Sequence, residues 1–181
     1  SWFRHNLELP TYAALSIRGD QQRIGRPSPE GYGTALFAAG ASVTNSVPET
    51  AELDRVRYRF RAVEVTGVAA AFPKPNSVQF NLTADATVTW KWEATEFLLT
   101  VVPAGPGTVV GASAGWFAIG SLATISATPA AGSKFQGWVG DVPATAAVEN
   151  PLSLMMDRPR RITAIFTRPD GSGGLDGDWP T

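Results

Sequence analysis

Apolar and polar residues alternate with a period of two along most of the chain, in short runs bounded by Gly, Pro, Asn and Asp. That period is the signature of strands with one buried face. It is clearest over residues 55–65, where Val56, Tyr58, Phe60 and Ala62 fall on one side and Arg55, Arg57, Arg59 and Arg61 on the other. Shorter runs predict strands at 7–9, 15–17, 77–82, 87–92, 97–102, 108–110, 116–119, 123–128, 134–139, 152–156 and 161–166. Residues 36–47 read as a strand pair broken at Gly40. Loops are expected at 25–33, 67–76 and 141–150, and the acidic stretch 48–54 as one helical turn. No window sustains a helical period, and β-branched and aromatic residues sit between turn residues. The chain is predicted to be all-β.

The pattern also repeats. Phe37-Ala38-Ala39-Gly40-Ala41-Ser42-Val43-Thr44-Asn45-Ser46-Val47-Pro48 returns, with one insertion, as Phe117-Ala118-Ile119-Gly120-Ser121-Leu122-Ala123-Thr124-Ile125-Ser126-Ala127-Thr128-Pro129. Each copy closes on a similar phrase, running from Leu82 to Trp90 in the first and from Leu154 to Phe166 in the second. Self-similarity in fixed order predicts a tandem array. The expected organisation is an N-terminal arm over 1–13, a first repeat over 14–93, a second over 97–167 and a Gly/Asp-rich tail over 168–181. A short linker is expected near 94–96. Each repeat would be a small β-sheet domain, sandwich-like or β-grasp-like.

Composition narrows the function classes. Apolar residues make up 44% and charged residues 17% of the 181, enough for packed cores and too little charge for a disordered chain. A formal net charge of −1 provides no bulk field for nucleic acid or an anionic membrane. With no Cys there are no disulfides, thiolate metal sites or thiol nucleophiles. No apolar stretch reaches the roughly 20 residues of a membrane-spanning helix. No basic-then-apolar leader precedes Ser1, so any export signal is expected to have been removed or to lie elsewhere.

In the second repeat the wording becomes specific. Leu99-Thr100-Val101, Ala127-Thr128-Pro129-Ala130-Ala131-Gly132, Phe135-Gln136-Gly137-Trp138-Val139-Gly140-Asp141 and Ile162-Thr163-Ala164-Ile165-Phe166 resemble the divergent internalin-type B-repeat of bacterial surface proteins. The first repeat resembles it through Ala39-Gly40, Ser42-Val43-Thr44 and Trp90-Lys91-Trp92, with Ala62-Val63-Glu64-Val65-Thr66-Gly67 in place of Gly-Trp-x-Gly-Asp. The resemblance implies small extracellular β modules that act as spacers, adhesive elements or interaction surfaces. It implies no catalytic residue.

The residues themselves offer little catalysis. The single His, His5, lies in the arm, and the carboxylates Glu49, Glu52, Asp54, Glu93 and Glu96 read as solvated surface rather than an acid/base pair. No catalytic residue, metal site or cofactor is expected. The four arginines of 55–61 would form a ladder spaced by about 6.6 Å, twice the strand rise. They read either as a face crossed by acids such as Glu64 or Glu49, or as a grip on an anionic partner. Arg18-Gly19-Asp20 spells an integrin tripeptide, and Asn81-Leu82-Thr83 a glycosylation sequon inside a strand. The tail faintly resembles calcium-binding Asp/Gly linkers, but a flexible linker is the simpler reading.

Trp2, Phe3, Leu7 and Leu9 make the arm too apolar for a free tail. An apolar, strand-like arm can add to the open sheet edge of a neighbour, and head-to-tail contacts that do not close generate a filament. The expectation is a secreted, non-enzymatic structural or interaction protein. Its partners would be copies of itself or neighbouring domains of the parent chain, without nucleic acid or membrane insertion. The alternative is a carbohydrate-binding module that stacks glycans on Trp2, Trp116 or Trp179.

Overall fold

The computed structural model describes residues 10–111 and 114–168. They form fourteen strands and one 3-10 turn, Ala144–Ala146. The contacts divide the chain into two compact units, Ser1–Thr95 and Glu96–Thr181.

In the first unit, β1 (Tyr12–Gly19), β2 (Gly33–Ala38), β4 (Thr50–Leu53), β5 (Val56–Thr66) and the first part of β8 (Ala86–Ala104) make one sheet, in the order β2-β1-β8-β5-β4. A second sheet has the order β3-β7-β6, from β3 (Ala41–Ser46), β6 (Ala71–Lys74) and β7 (Ser77–Leu82). The inward residues are those the alternation marks: Leu15 and Ile17 on β1, Val78, Phe80 and Leu82 on β7, Val88, Trp90 and Trp92 on β8. Asn45 is buried and polar. The Trp90 indole N–H donates to Asn45 Oδ1 at 3.1 Å, and Asn45 Nδ2 donates to the Glu30 carbonyl at 2.9 Å. Both groups are satisfied inside the core, as burial demands.

The second unit is built the same way from the later part of β8, β9 (Gly107–Gly111), β10 (Ala114–Ala118), β11 (Leu122–Pro129), β12 (Lys134–Gly140), β13 (Leu152–Met155) and β14 (Arg160–Thr167). Its sheets run β10-β8-β14-β12 and β13-β11-β9. Leu99, Ile125, Trp138, Leu152, Leu154, Met156, Ile162 and Phe166 fill a core separate from the first. The central pair is parallel in each unit, Leu15–Gly19 against 86–90 in one and Arg160–Ile165 against 99–104 in the other. β8 therefore closes one strand order and opens the next.

The Gly-Trp-x-Gly-Asp phrase has a packing explanation. Trp138 is 2% exposed and its indole N–H donates to the Glu149 carbonyl at 2.7 Å. The Phe135 ring meets it edge-on, with centroids 5.1 Å apart. At Gly137 a Cβ would stand 2.8 Å from the Ala147 carbonyl oxygen, the same oxygen that accepts the Trp138 backbone N–H. At Gly140, with φ 102°, a Cβ would stand 2.4 Å from the Arg161 carbonyl oxygen. Asp141 then accepts the Arg161 N–H at 2.7 Å and ends the ladder.

Four expectations are corrected. Residues 50–53 are strand β4, not a helical turn, because Thr50–Leu53 pair with Arg59–Val56 across a tight turn. Residues 71–74, expected as loop, are the exposed edge strand β6, where Pro73 is tolerated. Residues 94–96 are not a linker. They lie within β8, where Thr95 Oγ1 donates to the Arg57 carbonyl at 3.2 Å. The arm does not extend to residue 13, since β1 starts at Tyr12 and Ala13 is buried in the core.

Candidate functional site

The arginine row is real but shorter than its sequence implies. Asp54 and Arg55 have φ of 51° and 64°, the mirror-image tight turn that matches strand twist in a two-residue hairpin. Arg55 is thus a turn residue and leaves the ladder. Arg57, Arg59 and Arg61 remain on β5, opposite in parity to Tyr58 and Phe60, which pack on the core. Carboxylates cross this face. Arg57 donates to Glu52 through Nε at 3.2 Å and Nη2 at 3.0 Å, and the two residues are directly opposed across β4 and β5. Arg59 reaches Glu93 of β8 at 3.6 Å. Glu64, expected to cross the ladder, instead meets Lys91 at 2.8 Å. The Lys91 hydrogen bond, and then its charge, lower the Glu64 pKa from the ordinary carboxylate value. Arg61 is exposed and makes no ion pair among the described residues.

The alternation of β5 also slips. Ala62 and Val63 are both half-buried, and beyond them Val63 and Val65 pack on the core while Glu64 faces out. The strict alternation expected through residue 65 therefore holds only to Ala62.

Two edge strands stand out. β2 reads Gly-Thr-Ala-Leu-Phe-Ala and β10 reads Ala-Gly-Trp-Phe-Ala, with no charged residue and no proline in either. Among the described residues each is the outer strand of its sheet and pairs on one side only. Leu36 on β2 is 71% exposed. Natural edges are ordinarily blunted by charge, proline or bulges. β12, at the other edge of the second unit's sheet, is partly covered, since Trp138 N–H already donates to the Ala147 carbonyl.

A hollow lies where β1 outruns β2. It has a volume of about 360 Å³ and is walled by Arg18, Gln21, Gln22, Arg23, Tyr32 and Thr34, with backbone of Gly19 and Gly33. A second hollow of about 210 Å³ adjoins it and shares Ile17, Tyr32, Gly33 and Thr34, adding Glu30. Tyr32 donates its hydroxyl to the Ile24 carbonyl at 2.5 Å. Burial raises the Tyr32 pKa above the ordinary phenol value; the neighbouring Trp92 indole opposes the rise and the Asp20 charge adds to it.

Residues 97–170 match the family model of the divergent InlB B-repeat domain. No curated protein and no solved structure matches the chain. The matched stretch lies within the second unit. Within the matched stretch the Gly-Trp-x-Gly-Asp phrase serves packing, as the geometry of Gly137, Trp138, Gly140 and Asp141 shows.

The remaining sequence candidates separate. Trp2, Phe3, His5, Leu7 and Leu9, together with Trp179 and the Asp/Gly tail, lie outside the described residues. Trp116 is half-buried on β10, opposite Leu98. Arg18-Gly19-Asp20 is not a projecting loop: Gly19 pairs with Trp90, and Asp20 N–H donates to the Trp90 carbonyl at 3.1 Å. Among the described residues no three His, Cys, Asp or Glu side chains cluster as a metal site, and no helix is long and apolar enough to cross a membrane.

One buried cation of the second unit was missed from sequence. Arg160 is 4% exposed and donates to the Met155 carbonyl at 3.2 Å, the Asp141 carbonyl at 2.7 Å and Asp157 Oδ1 at 2.7 Å. Its parity with Ile162, Ala164 and Phe166 was the available signal.

Proposed function

We propose that the chain is a non-enzymatic interaction segment of an extracellular repeat protein. It joins neighbouring polypeptide through the open edges of its sheets. The observation that carries this reading is the pair of uncharged edge strands, β2 and β10, at the same place in the strand order of the two units. An exposed edge of that kind accepts an extended segment by main-chain hydrogen bonding. The segment we assign to it is residues 1–9 of a neighbouring copy, with Trp2, Phe3, Leu7 and Leu9 as its apolar side chains. Repetition of that contact would make the chain a filament subunit. Arg57 and Arg59 are engaged by carboxylates of their own unit, which leaves Arg61 as the cation of that row to meet a partner.

Light scattering and electron microscopy test the reading. The intact chain should self-associate, and the chain lacking residues 1–9 should stay monomeric with unchanged circular dichroism. Removal of residues 1–12 would be a poorer test, because it cuts into β1. Leu36→Lys on β2 and Ala118→Lys on β10 should each weaken association by charging an edge. Association that survives both the deletion and the lysines would reject the edge-pairing reading, as would an intact chain that never associates.

A further inference from the structure

The hollows beside β1 and β2 carry a second inference, independent of edge pairing. Together they form one groove whose two ends differ in chemistry. Arg18 and Arg23 stand at one end with the carboxamides of Gln21 and Gln22. Neither arginine forms an ion pair among the described residues, and no carboxylate lines that hollow. At the other end Glu30 lines the adjoining hollow, and its Oε2 is buried without a hydrogen-bond partner. Between them lie the half-buried Tyr32 ring and the Thr34 hydroxyl, common to both hollows.

An unpaired guanidinium pair favours a planar anion, because its N–H groups match the two oxygens of a carboxylate. A buried, unpartnered carboxylate oxygen favours the opposite: a hydroxyl or N–H donor. The occupant therefore needs an anion at one end and donors at the other. A small inorganic anion is too short to reach both ends, and sulfate or chloride has no donor at all. A neutral sugar has the donors without the anion. A chain of uronic acids has a carboxylate on one ring, hydroxyl donors on the next, and an apolar ring face that can lie on an aromatic side chain. The volume of the first hollow, about 360 Å³, is within the range of small-molecule sites.

We infer that this groove binds an acidic oligosaccharide, with a uronate carboxylate at Arg18 and Arg23 and ring hydroxyls directed to Glu30. The arginines are exposed and the groove is open, so binding weakens as salt rises.

Titration of the intact chain, followed by calorimetry or by amide NMR, decides the matter. The probes are trigalacturonate, the neutral galactose trimer and tri-glutamate. Trigalacturonate should bind saturably, at least about tenfold more tightly than either control. Each of Arg18→Ala and Arg23→Ala should weaken it about tenfold or more, the loss of one charge-assisted contact. Both side chains are exposed, so circular dichroism should not change, and Arg18→Gln and Arg23→Gln provide milder variants at the same positions. Glu30→Gln should reduce affinity for the trimer while leaving affinity for monomeric galacturonate unchanged. No binding, equal binding of the neutral sugar, tighter binding of tri-glutamate, or indifference to both arginine substitutions would overturn the assignment.

Discussion

The two units share a strand order and fill it differently. Equivalent positions follow from the pairing: Phe37 opposes Ala13 as Phe117 opposes Phe97, and Leu15 lies beside Ala86 as Leu99 lies beside Arg160. On that register Trp90 of the first unit corresponds to Ala164 of the second, and Asn45 to Ile125. The first unit places its large indole on β8, against the Phe60 ring at 5.8 Å, and balances the indole N–H with Asn45. The second places its indole one strand over, on β12, directly opposite the small Ala164. The large ring sits on different strands of the same frame in the two units, a redistribution that cores tolerate when size and patterning are kept.

Polar anchoring is exchanged as well. Arg160 ties the β13–β14 connection to the turn after β12, whereas its counterpart Ala86 ties nothing, and Asp85 instead accepts the Ala14 N–H at 2.8 Å. The same frame thus tolerates a buried hydrogen bond in the core of one unit and a buried cation at the end of the other. The strand order and its apolar parity are common to both; the particular residues are not.

That comparison can be broken in graded steps. The largest effect is expected from Trp138→Ala, which empties the second core and should cost about 3–5 kcal/mol in urea denaturation. Arg160→Ala should follow at about 2–4 kcal/mol by the same measurement, since it strips the Met155 and Asp141 carbonyls of their donor. Asn45→Ala leaves the Trp90 N–H buried and unpaired and should cost about 1–3 kcal/mol. Trp90→Phe on that background removes the orphaned donor, so a double-mutant cycle should show coupling between the two positions. A cycle that closes additively would mean the bond contributes nothing.

The smallest effect concerns pH. The Glu64 carboxyl is held below its ordinary pKa by Lys91, so its contribution is present above the ordinary carboxylate range and is lost as pH falls through the lowered value. Stability of the intact chain should therefore decline slightly more on acidification than that of Glu64→Gln. The pair is exposed, and added salt should erase the difference.

What was legible in the sequence was parity. Alternation gave the inward faces of β1, β7, β11 and β14, and the repeated phrase aligned Phe37 with Phe117 as the strand pairing does. Parity failed where the backbone, not the side chain, sets the course. Asp54 and Arg55 form a turn without glycine, so the arginine ladder seemed to begin one arginine too early. β4 and β6 are four-residue edge strands, too short for a period to show. The run 94–96 has no turn residue and simply continues β8, but two repeats in tandem invited a linker there. Arg160 was overlooked because charge was taken to mean surface, although its place in the alternation of β14 points inward. The groove was invisible, since it assembles residues of β1, the following loop and β2 through tertiary placement alone.

Amide hydrogen exchange on the Trp138→Ala chain tests the two-core account most directly. Protection should collapse in β11, β12, β13 and β14 and persist in β3 and β7, where Val43, Val78, Phe80 and Leu82 remain packed. Equal loss of protection in both sets of strands would mean the interiors are one cooperative core, and would contradict it.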